Sequence, residues 1–321
     1  MNHKIHQNSS KNSFLSPCRL LPFCKRDLRD RPNRLYRLSI IIILVLFACA
    51  AYANDKALVL QEISWLDVQN YLKTCDMVII PLGSTEQHGP HLPLGTDFFE
   101  ALELSKMVSQ KTGVLVAPIL IIGYSEYHSG FPGTFSLKPE TMVQVLNENI
   151  DMLIKYGFRR FMFLNYHGGN SLIEDTVIQR INRTTKAVAV AVGIESPLQK
   201  EEPNDTFDWH AGKHETSMML YLKPELVRIE RAEKPVLHFT QKMQELQELA
   251  KKHPELDMVY GSYFATLPET GKGGASHEFS SNGIWSVYDP KTAASKKLGE
   301  QEATKMIEPI VKFIESWKLV K

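Results

Sequence analysis

The stretch MVIIPLGSTEQHGPHLPLGTDFFEALELSKMVSQ, Met77–Gln110, decides the fold. Its first five residues, Met77–Pro81, form a continuous apolar run, the pattern of a strand buried on both faces. Asp97–Gln110 carries its apolar residues at helical spacing. Between the two lies a Gly/Pro-rich loop holding Glu86, His88, His91 and Asp97. Strand, polar loop and helix in that order form the opening unit of an α/β fold, with the unusual side chains gathered in the connection.

The same alternation continues on both sides. Ser64–Leu72 reads as a short helix before the strand, and Val114–Ile122 as a second strand. Pro139 suits the first position of a helix running to about Tyr156, which Gly157 closes. Arg160–Leu164 is a third strand, Ser171–Arg183 a helix and Ala187–Val192 a fourth strand. Beyond a polar loop, Glu201–Asp208, helices are expected at His214–Leu222, Thr240–Lys252 and Ala293–Trp317. Continuous apolar strands alternating with helices indicate a mostly parallel sheet covered on both faces. Ligands of such sheets bind beyond the carboxyl ends of the strands, so the loops after the first and third strands are the place to look.

Composition narrows the classes. Of 321 residues, 43% are hydrophobic and 23% charged, ordinary values for a globular chain. A net charge of +1 leaves no electrostatic footprint for nucleic acid or an anionic membrane. The N-terminus stands apart. Residues 1–38 are basic and polar, with Lys25, Arg26, Arg29, Arg31, Arg34 and Arg37. An apolar run from Leu38 to Ala51 follows and ends in Ala51-Tyr52-Ala53, the form of an export signal. The run is shorter than the roughly 20 apolar residues of a spanning helix. Cleavage after Ala53 is therefore expected, leaving one domain, 54–321, that begins at Asn54-Asp55 and is periplasmic or secreted. Membrane contact is then expected only through the signal. A retained anchor, lipidation at Cys49 or a downstream start are the alternatives. Cys18, Cys24 and Cys49 all precede that cut, so Cys75 alone remains and no internal disulfide can form.

The first loop offers His and carboxylate groups together, the ligand set of zinc, manganese or iron(II). Asp97, taken alone, could equally cap the helix it opens. A second loop, Asn165-Tyr166-His167-Gly168-Gly169-Asn170, places a His between small residues at a strand's carboxyl end. Taken alone, His167 reads as a solvated loop residue. In a third segment, Asp208–Ser217, Glu215 falls in the first turn of a helix, where the dipole favours a carboxylate whether or not it binds metal. His210 and His214 lie four apart, but Gly212 between them argues against a helical pair. The fourth stretch, Gly123–Thr134, is rich in aromatic and hydroxyl residues and suits substrate contact, with an irregular surface loop as the plain alternative. Gly271–Ser286 is glycine-rich and reads either as a segment closing over the site or as a connector.

Together these motifs resemble the creatininase family across essentially the whole of 54–321. Four elements match in order: Gly-Ser-Thr-Glu86-Gln-His88-Gly through Asp97, His128 with Phe131-Pro132-Gly133-Thr134, Asn165-x-His167-Gly-Gly-Asn170, and His210-Ala-Gly-x-His-Glu215-Thr-Ser. The resemblance implies a three-layer α/β/α sandwich, two divalent metal ions per subunit (zinc first, manganese or iron(II) as alternatives) and a homo-oligomer, often a hexamer. It implies Glu86 and His167 as ligands of one metal, His88 of the other, Asp97 bridging and Glu215 completing the set. His210 falls where the family has a catalytic histidine. Creatininase itself has a metal-binding Glu where this chain has Gly169, so the resemblance is to the broader branch of formamide and amide hydrolases.

The implied reaction is hydrolysis of a C–N bond outside ordinary peptides, in a cyclic amide or formamide, by a hydroxide held between the metals. His210 would carry a proton to the leaving nitrogen. Ser125 and His128 would contact the small amide substrate, and His91 and His214 would orient ligands. A lactonase, a peptidase on a modified peptide, or a non-catalytic exported metal-binding protein would use the same ligands. A serine hydrolase lacks its Gly-x-Ser-x-Gly elbow here.

Overall fold

The computed structural model describes residues 56–192, 207–256, 258–259 and 275–320. The expected export signal at 1–53, residues 201–206 of the polar loop and Gly271–Gly274 lie outside the described residues.

Ser64 caps helix α1 (Trp65–Tyr71) through a capping box with Asp67, which satisfies the first free N–H groups of the helix. Strand β1 (Met77–Leu82) follows and is buried along its whole length. Helix α2 (Thr96–Thr112) begins one residue before the sequence expectation. Strand β2 is only Leu115–Val116, far shorter than the expected Val114–Ile122. Pro118 brings no N–H to a ladder, so pairing breaks up beyond it. Two backbone bonds still tie the stretch to β1, from Ala117 N–H to the Ile79 carbonyl at 2.9 Å and from Leu120 N–H to Pro81 at 3.4 Å.

Helix α3 (Pro139–Tyr156) matches the reading from Pro139 and Gly157, the latter at φ 120°. Strand β3 (Arg160–Asn165), helix α4 (Ser171–Thr184) and strand β4 (Val188–Ala191) follow in order. A short strand β5 (Asp208–His210) emerges where loop was expected, and helix α5 (Lys213–Leu222) follows. Helix α6 (Gln241–Ala250) is capped by Thr240. Strand β6 (Trp285–Ser286) pairs antiparallel with β5 across an irregular register. The expected helix Ala293–Trp317 is broken: Pro290–Ala293 forms one turn, and α7 (Lys296–Trp317) restarts on a Ser295 cap.

The main sheet runs β2-β1-β3-β4 and is parallel throughout, with Met77 opposite Arg160 and Leu82 opposite Asn165. Alternate residues divide its two faces. Val78, Ile80, Leu82, Phe161 and Phe163 pack with Met142, Leu146 and Ile150 of α3 and Ile173 and Val177 of α4. Met77, Ile79, Met162 and Leu164 pack on the other side with Leu104 and Val108 of α2, Met218 of α5, and Ile307 and Ile314 of α7. This is a three-layer α/β/α sandwich. Each of the large side chains fully buried in these layers contributes roughly 1.5–3 kcal/mol, which fixes the register of β1 against β3. That register sets where their carboxyl ends, and the loops beyond them, meet.

Candidate metal centre

Three loops leave the carboxyl edge of the sheet, and Asn170 joins them. Its Nδ2 donates to the Gly83 carbonyl after β1 at 3.0 Å, and its Oδ1 accepts the Tyr124 N–H at 3.2 Å. Its Nδ2 also lies 3.4 Å from Asn165 Oδ1 at the end of β3. Asn165 Oδ1 in turn accepts the His167 N–H at 3.1 Å. The loop after β1 is held by the Glu86 N–H on the Leu94 carbonyl at 2.8 Å.

These ties bring the expected ligands together. Glu86, Asp97 and His167 have ligand atoms within 4.8 Å of one another, as do His88, Asp97 and Glu215. Asp97 is common to both groups. His167 Nδ1 lies 3.0 Å from Asp97 Oδ2 and 3.4 Å from Glu86 Oε1. His88 Nε2 lies 3.0 Å from the other Asp97 oxygen, Oδ1, and 3.7 Å from Glu215 Oε2. Glu86, His88, Asp97 and His167 are all buried.

The outer bonds point each ring inward. His88 Nδ1–H donates to the Glu86 carbonyl at 3.1 Å, which leaves Nε2 for the centre. His167 Nε2–H donates to the Tyr124 carbonyl at 2.8 Å, which leaves Nδ1. Ser84 Oγ–H donates to Asp97 Oδ2 at 2.6 Å. Such partners fix ligand orientation and tautomer. The capping role open to Asp97 is not the one it takes, since its oxygens face His88, His167 and Ser84. Glu215 braces the chain where it enters its helix. Its Oε2 accepts the Ala211 N–H at 2.5 Å, holding the left-handed turn at Ala211, φ 53°, while it faces His88.

The donor set fits divalent cations. Three carboxylates converge in a buried space, and Glu86 Oε2 has no hydrogen-bond partner there. In the absence of a cation, protons fill the role. Burial alone would lower the His88 pKa, but Asp97, Glu215 and Glu86 outweigh it and lift the ring to about 10. His167, despite its burial, is held well above the ordinary range by Glu86, Tyr127 and Asp97. Burial would raise Asp97, yet His88 and His167 drive it well below the carboxylate range. Burial pushes Glu215 up to about 7. A cation at each triad would replace those imidazole protons.

His210 and His128 line the cavity beside the ligands. Burial and neighbouring histidines hold both well below the usual imidazole range. Their rings stack 4.3 Å apart. His210 also forms a group with Glu86 and His88 within 4.8 Å, so it could share an ion held there. The cavity is about 320 Å³, and Tyr127, Trp209 and Trp285 also line it. Trp209 is 52% exposed at its rim, whereas Trp285 is buried.

Other expectations are corrected. Ser125 does not line the cavity. It is buried behind His167, its Oγ 3.3 Å from Nε2. His214 is turned toward Asp208 and Glu302, away from the ligands. His91 donates or accepts at Thr216 Oγ1, 2.8 Å away, and so braces the residue next to Glu215. From the segment Gly271–Ser286, Trp285 forms part of the cavity wall. Sequence reasoning passed over Ser84, Gln87, Tyr127, Trp209 and Ser276. Gln87, between two ligands in the densest motif, was the one with a local signal. Gly169 has a packing reason: a Cβ there would sit 2.1 Å from the Tyr124 carbonyl and 2.5 Å from His167 Nε2. A glutamate side chain at this position would displace the very ring that forms the centre.

Known proteins place the chain in a family. The chain is 35% identical over 182 residues to the 3-dehydro-scyllo-inosose hydrolase of Thermotoga maritima, covering 54% of this chain and 58% of that one. It is 34% identical over 183 residues to the mycofactocin precursor peptide peptidase of Mycobacterium tuberculosis, covering 49% and 63%. The matches thus span less than two thirds of these relatives' own lengths. A mutant creatininase of the Zn–Zn type superposes with a TM-score of 0.60 at 25% identity, over 82% of this chain and 98% of that one. Residues 61–314 match the creatininase profile, described as creatinine amidohydrolase. The chain belongs to the creatininase family.

Proposed function

We propose that the protein is a metal-dependent amide hydrolase acting on a small cyclic amide or formamide, with Glu86, Asp97 and His167 holding one divalent cation and His88, Asp97 and Glu215 the other. The observation that carries this reading is the sharing of Asp97 between two buried triads. Zinc is the first choice, with manganese or iron(II) as alternatives, since carboxylate and imidazole ligands accept all three. A cation pair there supplies a water acidified to near neutrality and a Lewis acid for the amide carbonyl.

The chain's own residues supply the rest. His210, beside both triads, moves the proton between the water and the leaving nitrogen. Tyr127, Trp209 and Trp285 form an apolar wall that excludes water and stacks on a flat substrate. Among the described residues, no Lys or Arg lines the cavity. Export through residues 1–53 and a homo-oligomeric assembly belong to the same proposal.

A hydrolysis panel on the zinc-, manganese- and iron-loaded full chain tests the reading, with cyclic amides, formamides, lactones and short peptides compared. Turnover of a cyclic amide or formamide above the other classes is expected. Turnover confined to lactones or peptides would overturn it.

A further inference from the structure

Gln87 lies between two ligands, yet its side chain reaches the other wall of the cavity. The amide orientation is fixed by two backbone groups. Oε1 accepts the Gly89 N–H at 3.0 Å, and Nε2 donates to the Gly283 carbonyl at 3.0 Å. The reverse orientation would set oxygen against oxygen and N–H against N–H. Gly283, at φ 83°, has no space for a side chain: a Cβ would fall 1.9 Å from Gln87 Oε1.

One N–H of Gln87 remains. Near it are His128 Nδ1 at 2.8 Å, His210 Nε2 at 3.0 Å and Ser276 Oγ at 3.3 Å. His210 Nε2 also lies 2.7 Å from the Gln87 backbone carbonyl, which can only accept. That nitrogen therefore carries the hydrogen and offers no lone pair. Ser276 Oγ accepts Trp285 Nε1–H at 2.9 Å, and its own hydroxyl lies 2.8 Å from His128 Nδ1. Gln87 Nε2 carries only hydrogens, so His128 Nδ1 at 2.8 Å must be bare, and the Ser276 hydroxyl then donates to it as well. Its hydrogen is on Nε2, 3.4 Å from Glu86 Oε1. The bare nitrogen of His210 is Nδ1, 3.7 Å from Glu86 Oε1 and 4.0 Å from Glu215 Oε2.

We infer that Gln87 is the positioning residue of this cavity: its carboxamide and its backbone carbonyl fix one tautomer in His128 and His210, whose rings are turned so that His128 presents an N–H donor and His210 a lone pair. The tautomers stand on hydrogen-bond geometry alone, while the roles that follow rest on the amide-hydrolase reading. His128 Nε2–H then donates to the amide carbonyl oxygen as negative charge grows on it. His210 Nδ1 takes a proton from the attacking water as the C–O bond forms. It returns that proton to the nitrogen as the C–N bond breaks, leaving acid and amine with no other reagent consumed.

The test is a long-range ¹H–¹⁵N correlation spectrum of the zinc-loaded full chain labelled at histidine, with signals assigned through His128→Gln and His210→Gln. Both rings are expected as Nε2–H in the unaltered protein. Gln87→Glu removes the donor and keeps the backbone carbonyl, so His128 should switch to Nδ1–H while His210 does not change. Ser276→Ala should leave both as they were. A His128 ring already protonated at Nδ1, an unmoved His128 in Gln87→Glu, or a switch in Ser276→Ala would each overturn the assignment. If Gln87→Glu does not fold, the unaltered protein and Ser276→Ala still decide. The spectrum needs no turnover, so tautomers as expected in a protein inert on every amide would sink the hydrolase reading and spare this one.

Discussion

The floor of the cavity and its wall are built by different means. Glu86 and His88 stand on the loop directly beyond β1, Asp97 in the first turn of α2 at the end of that loop, and His167 on the loop beyond β3, and they inherit their positions from a strand pair in register over six residues. His128, His210, Trp209 and Trp285 stand on a three-residue strand, a two-residue strand and a single helical turn. Their anchor points come from segments far apart in the chain. The floor is rigid because the two apolar layers of the sandwich hold it. The wall is held by side-chain bonds such as those of Gln87 and Ser276. A scaffold that fixes ligands while short segments shape the opening is a common division of labour in α/β proteins. On the proposed function it would separate what keeps the metals from what is done with them.

Substitutions should expose that division. Asp97→Ala on the floor should abolish turnover, a loss well beyond the roughly 100-fold expected when an outer partner goes. His210→Ala on the wall should retain both metals and lower kcat by about 10²–10⁴-fold. Steady-state rates paired with metal content distinguish the two. An Asp97→Ala protein that turned over normally would erase the contrast. Ser84→Ala removes only the donor behind Asp97 and should weaken metal affinity by about 10–100-fold, read by competition against a chromogenic chelator.

The metal-free protein should reveal the floor by its pH dependence. His88 binds its proton up to about pH 10 in the folded chain, against 6.5 for a free imidazole. The stabilisation is therefore complete below about pH 6.5 and drains away as pH rises toward 10. The Tm of the metal-free protein should fall over that range, while that of the zinc-loaded protein should not show this loss, because zinc has displaced the proton. Parallel curves would mean that His88 is not a ligand. The smallest effect belongs to the rim. Trp209→Leu should leave Tm and metal content unchanged and raise KM by less than about tenfold, since a half-exposed ring contributes only part of its area to binding.

The same contrast explains what could be read from the sequence. The strands and helices of the sandwich carry their own periodicity, and the floor residues sit within single motifs, so Glu86, His88, Asp97 and His167 were legible. β2 was overextended because an apolar run, Val114–Ile122, hid the effect of Pro118. β5 was missed because three residues with a partner near Trp285 have no local pattern. Ser125 was assigned to substrate because nothing local says which way a hydroxyl in an irregular loop points. Gln87, Ser276 and Trp285 gain their roles only from contacts across most of the chain. Among the described residues no helix is long and apolar enough to cross a membrane.

The most direct test of the account is a count of metal ions by elemental analysis in the full chain and in Asp97→Ala, each reconstituted with zinc and desalted. Two ions per chain in the first and fewer than one in the second are predicted. Two ions retained without the Asp97 carboxylate, or none bound with it, would contradict the shared-ligand centre on which the proposed chemistry rests.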